Sequence, residues 1–398
     1  MSFFTASFGT ILVGCIIDRY GRRSAILFSI VPNLVGWFLL YLDKNTVTLL
    51  TGRALTGLCT GSMYYPSQVY IAECIAVNHP HLRDSFVLWA STVNGLGELL
   101  IYLLGYGFEY TELCAVATFM SFFSLLLVYF FIPESPSWLF LQNRINDAQW
   151  AERKLGIYQP ILHDPKMDVQ SIPQPVPHQT KWSEVKLAII QLKRKDIYKP
   201  VIITTVLIVL MKFTGSVVLT TYLVDIMSGA CSAQDTKSYT YSMISQLLVT
   251  VATFLSGFVI PMFGIKRVSA VAVAGAFVGV TTLVTSSSTA VTEHVLPLHV
   301  IGVWLAMFMF HFGVANVSRA IISEAFPIDA KGYASIPMVM LNIAGATTLK
   351  LHPYLALRFG GNVYYGYAAC TLLYGFYVHS FLPETVGKSL DEINKELS

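Results

Sequence analysis

The chain has 398 residues, 54% of them hydrophobic and only 12% charged, with a formal net charge of +3 and a mean hydropathy of +0.59. A soluble domain carries about 25% charged residues. The composition therefore excludes a disordered, collagenous or coiled-coil chain, argues against a cytosolic enzyme, and leaves a polytopic membrane protein. Six cysteines without CxxC or Cys/His spacing suggest neither a disulfide framework nor a zinc site.

A bilayer core needs about 20 apolar residues per helix. In chain order, apolar stretches lie near residues 3–17, 24–42, 48–72, 84–106 and 111–132. The first is short, as if the chain began partway through a helix. A polar, Pro-rich segment near 133–198 follows, with Lys193, Arg194 and Lys195 near its end. It is too long for an intramembrane turn and reads as a linker with amphipathic helical pieces. Further stretches lie near 199–227, 239–261, 267–288, 296–323, 332–354 and 362–382. The predicted organisation is a transmembrane bundle over 1–132, a cytoplasmic linker with short helices over 133–198, a six-helix bundle over 199–382 and a cytoplasmic tail over 383–398. No cleavable signal peptide is evident, because Met1 leads into an apolar run without a basic segment.

Placing the linker in the cytoplasm puts Arg19, Arg22, Arg23, Arg83, Lys266, Arg267, Lys331, Lys388 and Lys395 on the inner side. Lys44, Arg53, Lys237, Lys350 and Arg358 fall on the outer side. The excess of inner cations favours this orientation, with the C-terminus inside. The sequon at Asn316 lies within an apolar span and is not a glycosylation site.

The halves repeat. Glu73 followed by Arg83 recurs as Glu324 followed by Lys331, and Pro133-Glu134-Ser135 recurs as Pro383-Glu384-Thr385. Asp18-Arg19-Tyr20-Gly21-Arg22-Arg23 recurs weakly as Phe263-Gly264-Ile265-Lys266-Arg267. The offsets are about 243 to 251 residues, in one order and on one membrane side. A parallel repeat of two helical bundles is a transporter layout with its substrate site between the halves.

Asp18–Arg23 resembles the loop signature of the major facilitator superfamily. Gly52-Arg53, Gly57, Gly61, Pro66, Tyr70-Ile71-Ala72-Glu73 and Arg83 resemble the sugar porter signature. So do Pro133–Leu139 and Pro383–Leu390. The style is closest to insect trehalose-transporter-like members. The resemblance implies an all-α fold of two pseudo-symmetric bundles, with the first of twelve helices absent. It also implies ion-pair networks at the inner helix ends that hold the bundles together when the carrier opens outward: Asp18, Arg19, Gly21, Arg22, Arg23, Glu73, Arg83, Glu134, Lys266, Arg267, Glu324, Lys331 and Glu384. In the family, proton-coupled members pair the arginine at Arg53 with an acid on the first helix, which makes Arg53 a coupling candidate. An outer topology anchor is its other reading.

Polar residues within spans are costly and are functional candidates by default. Ser91, Asn94, Gly95 and Glu98 fall on one helix face. Lys212, Ser216 and Thr220 form a second set. His311, Ala315, Ser318 and Arg319 form a third, with Asn342 on the next helix. Relatives carry glutamine where this chain has Ser91, a Gln-Gln pair at Met211-Lys212, and asparagine at Val217. They carry tryptophan at Arg319 and an acid at His311. Asn342 and Gly215 match the family. The scaffold is kept while the sugar site is rewritten around Lys212, Arg319, Glu98 and the titratable His311. Glu98 pairing with Lys212 or Arg319 would leave net positive charge for an anionic or polyhydroxyl solute; a closed internal charge network that binds nothing is the other reading.

The expectation is a facilitative or secondary carrier of a sugar-like solute working by alternating access, with no enzyme activity and no cofactor. A small-molecule substrate and the bilayer are the expected partners, with no nucleic acid, and the plasma membrane is the family's usual site. The alternatives are a non-transporting sensor on the same scaffold and an inactive truncated copy.

Overall fold

A computed structural model describes residues 2–42, 45–76, 83–156, 194–230, 235–288, 295–325, 333 and 335–384. The described residues are almost entirely helical, and no strand occurs among them. In lipid each backbone N–H and C=O must be satisfied within its own segment, which makes helices the outcome of these apolar runs.

The first half comprises α1 (Ser2–Tyr20), α2 (Arg22–Leu42), α3 (Thr46–Ala76), α4 (Arg83–Gly105) and α5 (Tyr110–Phe131). Two short helices follow at the linker face, α6 (Pro136–Leu141) and α7 (Ile145–Leu155). The second half holds α8 (Lys195–Phe213), α9 (Ser216–Thr221), α10 (Leu223–Ala230), α11 (Asp235–Phe263) and α12 (Ile265–Ser288). It continues through α13 (Val295–Met309), a π-helical turn (Phe310–Val314), α14 (Ala315–Glu324), α15 (Ser335–Phe359) and α16 (Val363–Phe381).

By length and composition, six segments among the described residues are long and apolar enough to cross a membrane: α1, α2, α5, most of α11, most of α12, and Leu298–Ile322 across α13, the π turn and α14. The other long helices carry the tyrosines and polar groups that dilute their hydropathy, such as Asn94 and Glu98 in α4 and Lys212 in α8.

The repeat is visible in the packing. α2 packs on α3 and α5, as α12 packs on α13 and α16. α8 joins α15, α16 and α14. A groove of about 680 Å³ lies between α2, α3, α4 and α5, with Arg53, Trp37, Tyr110 and Cys114 on its walls. The halves meet along two seams, α4 against α11 and α1 against α15.

Gly61 lies at the closest approach of α1 and α3, where a Cβ would collide with the Ala6 carbonyl. Gly57 sits against Ser2 and Thr5, and Gly52, less tightly, against Gly36 and Leu40. Small residues let backbones approach in this way.

Candidate functional site

At the linker face, one turn is built twice. Gly21 has φ +95° and Gly264 φ +88°, a left-handed conformation that costs glycine nothing. The turn aims the free amides of the next helix at one carboxylate. Glu134 Oε1 accepts from the amides of Arg22 at 2.8 Å and Arg23 at 3.0 Å. Glu384 accepts from Ile265 at 2.6 Å and Lys266 at 3.4 Å. Both acids therefore cap helix N-termini, a favourable site for negative charge, in place of the side-chain ion pairs that the family resemblance implies.

Arg22 is the centre of the buried network. Its Nη2 reaches Glu73 Oε1 at 2.8 Å, and its Nε reaches Glu73 Oε2 at 3.0 Å. Its Nη1 donates to Ile17 O at 3.1 Å and lies 3.7 Å from Asp18. Glu73 also accepts from Ser135 Oγ at 2.5 Å, and Trp138 Nε1 donates to Asp18 O at 2.9 Å. These bonds tie α1, α2, α3 and α6 together within the first half. Arg19 is exposed, with its guanidinium over Tyr20. Arg23 turns away to the Tyr129 carbonyl. The side chains of Arg83, Glu324 and Lys331 lie outside the described residues.

The intramembrane candidates gather between the halves. The Lys212 ammonium lies within electrostatic range of Arg319 and Glu98, and His311 within range of both cations. Glu98 is held by Gln246 Nε2 at 2.8 Å and Asn94 Nδ2 at 3.0 Å. Among the described residues, neither Lys212 nor Arg319 has a carboxylate within ion-pair distance. The Arg319 guanidinium instead donates to Asn316 Oδ1 at 3.0 Å and lies over the Tyr64 ring of the opposite half. The Ser91 hydroxyl is buried without a partner among the described residues.

Two face assignments change. α8 ends at Phe213, capped by Thr214, and α9 starts after Gly215, which has φ +87°. Lys212, Ser216 and Thr220 are therefore not on one continuous helix face, and Thr220 Oγ1 bonds back to Ser216 O at 2.9 Å. The π turn at Phe310–Val314 inserts an extra residue between His311 and Arg319, shifting their phase. Ser318 faces the core of the second half, bonded to Tyr374 at 2.9 Å. Met211 and Val217 are buried. Asn342 donates to Thr10 Oγ1 at 3.2 Å across the α1–α15 seam. Asn316, within the sequon, is fully buried. Arg53 stands in the first-half groove, away from this cluster.

The α4–α11 seam is an antiparallel ladder. Trp89 rests on Gly257 and donates to Phe254 O at 3.3 Å near the linker face. Gly95 abuts Thr250, Glu98 meets Gln246, and Tyr239 donates to Tyr102 O at 2.7 Å at the far end. Gln246, Tyr64 and Asn316 join the site candidates that the sequence marks. All three are polar residues within spans, the same signal that flagged Glu98.

The whole chain, residues 1–397, matches the family model described as "Sugar (and other) transporter". It is 27% identical to "Sugar transporter ERD6-like 6" of Arabidopsis thaliana over 98% of this chain and 79% of that protein. It is 25% identical to "Facilitated trehalose transporter Tret1" of Apis mellifera ligustica over 99% of this chain and 78% of that protein. Among solved structures, it superposes on the major facilitator proton:xylose symporter XylE bound to 6-bromo-6-deoxy-D-glucose with a TM-score of 0.80 at 20% identity, covering 100% of this chain and 88% of that one. Against inward-open XylE from E. coli the TM-score is 0.69 at 19% identity, covering 99% and 87%. The fold is that of the major facilitator superfamily, and fold and family are those of transporters.

Proposed function

This chain belongs to the sugar transporter family, and from that premise we propose that it carries a polyhydroxylated solute bearing a negative charge across a membrane by alternating access. The observation that carries the reading is the placement of charge between the halves. Glu98 is satisfied by Gln246 and Asn94, while Lys212 and Arg319 are left without a carboxylate among the described residues. Intramembrane cations in this condition favour an anion between them. Arg319 contacts the first half through Tyr64, so a solute bound beside it touches both halves and senses their rocking. We place linker and C-terminus in the cytoplasm, in line with the distribution of Lys and Arg, and the carrier in the plasma membrane, the family's usual site.

Purified chain in vesicles is assayed for uptake of labelled glucose, trehalose and glucuronate. The expected result is preferred uptake of the sugar acid, lost by Lys212→Met. A charged hydrogen bond of about 1.5–3 kcal/mol translates into a change in preference of about 10- to 100-fold. An uptake ratio unchanged by Lys212→Met refutes the assignment of Lys212. Saturable binding without uptake makes the chain a sensor.

A further inference from the structure

Outside the central site, a pocket of about 520 Å³ opens where the linker-face ends of α2 and α5 meet α6 and α7. Arg23, Arg144, Lys154, Glu134, Asp147 and Trp150 line it. Its acids are already used. Glu134 caps α2, and Asp147 pairs with Arg144 at 2.7 Å. Among the described residues the two remaining cations donate to carbonyls and not to carboxylates: Arg23 Nη2 to Tyr129 O at 2.6 Å, and Lys154 Nζ to Phe130 O at 3.4 Å. Each also lies over an aromatic ring, Arg23 over Tyr129 and Lys154 over Trp150. Capping the end of α5 accounts for those two bonds, but not for Arg23 Nε, which is buried without a partner among the described residues.

We propose that this pocket binds a phosphate-bearing anion, and that its source is the headgroup of an anionic lipid. A guanidinium and an ammonium lining one pocket suit phosphate. The surroundings favour a lipid over a free ion. Tyr20, Tyr129, Phe130 and Trp150, which line the pocket, are all more than half exposed, and such rings settle at the membrane–water boundary. Basic pockets between spans on the cytoplasmic side hold acidic headgroups in this way. The anionic leaflet is the cytoplasmic one, so the choice of lipid source rests on the orientation given under the proposed function; the pocket itself does not.

The test is retention of dioleoyl phosphatidylserine against dioleoyl phosphatidylcholine by the full detergent-purified chain, read by native mass spectrometry. The parent is expected to retain phosphatidylserine selectively. Lys154→Gln should weaken retention about fivefold, and Lys154→Gln with Arg23→Gln about 25-fold. Lys154→Arg should keep it, which separates charge from folding. Arg358→Gln, an exposed cation on the opposite face, should change nothing. Equal retention of the two lipids, no loss in Lys154→Gln, or an equal loss in Arg358→Gln overturns the site. Retention in excess inorganic phosphate supports the lipid source, while displacement by it overturns that source in favour of a soluble phosphate. Because no uptake is read, failure here leaves the carrier assignment standing, and failure of uptake leaves this site standing.

Discussion

Glu73→Gln removes one charge from a buried pair while keeping its shape. The Glu73 and Arg22 side chains are 6% and 5% exposed. The carboxylate accepts from Arg22 Nη2 at 2.8 Å, Arg22 Nε at 3.0 Å and Ser135 Oγ at 2.5 Å. Glutamine keeps one acceptor and turns an NH₂ toward the guanidinium. Breaking a buried pair from one side costs about 3–5 kcal/mol, because the other charge stays buried. Asp18, 3.7 Å from Arg22 and 59% exposed, offsets less than about 1 kcal/mol of that. The expected loss is about 3 kcal/mol. Adding Arg22→Met removes the orphaned charge, and an apolar replacement of a buried pair is often close to neutral. The double variant should therefore recover about 2 kcal/mol relative to Glu73→Gln. Equilibrium unfolding in mixed micelles, followed by tryptophan fluorescence in both single variants and the double, gives the coupling directly. Glu73→Gln within about 0.5 kcal/mol of the parent, with additive singles, would refute the reasoning.

Gly61→Ala sets a Cβ against the Ala6 carbonyl. It should cost about 1–3 kcal/mol as α1 and α3 separate, read as a lower yield of monodisperse protein. Gln246→Leu leaves Glu98 with Asn94 as its remaining described donor and should lower uptake at unchanged abundance in the membrane. Trp89→Ala removes the indole that bridges α4 to Phe254 and Gly257, and because Trp89 is only half-buried the cost stays below the roughly 3–5 kcal/mol of a core tryptophan. It should raise labelling of a cysteine placed at Gly95, and unchanged labelling would count against the ladder as a closing seam.

Much of the architecture was legible from residues alone. Long apolar runs have one solution in lipid, so α1, α2, α5, α11 and α12 follow from composition. The repeat was legible because Gly21 and Gly264, and Glu134 and Glu384, recur in order. What those acids bond to was not legible. A motif records that an acid and cations sit near one turn, and it does not record that the acid faces backbone amides. The central cations were visible because Lys212 and Arg319 are out of place in apolar sequence. The partner of Glu98 was not visible, since Gln246 lies 148 residues away on the other half.

Sequence by itself determined that this chain lies in a membrane, that it is built as two repeated bundles, and which few polar residues lie within them. These are properties of burial cost and of local pattern. The tertiary structure alone decided which of those groups satisfy one another. Arg22 belongs with Glu73, Glu98 with Gln246, and Arg319 with Asn316 and Tyr64. It also decided that a turn at Gly215 and a π turn at Phe310–Val314 break two expected faces. Each of these depends on a hydrogen bond or backbone break whose direction is set by the packing around it, which the motifs do not encode.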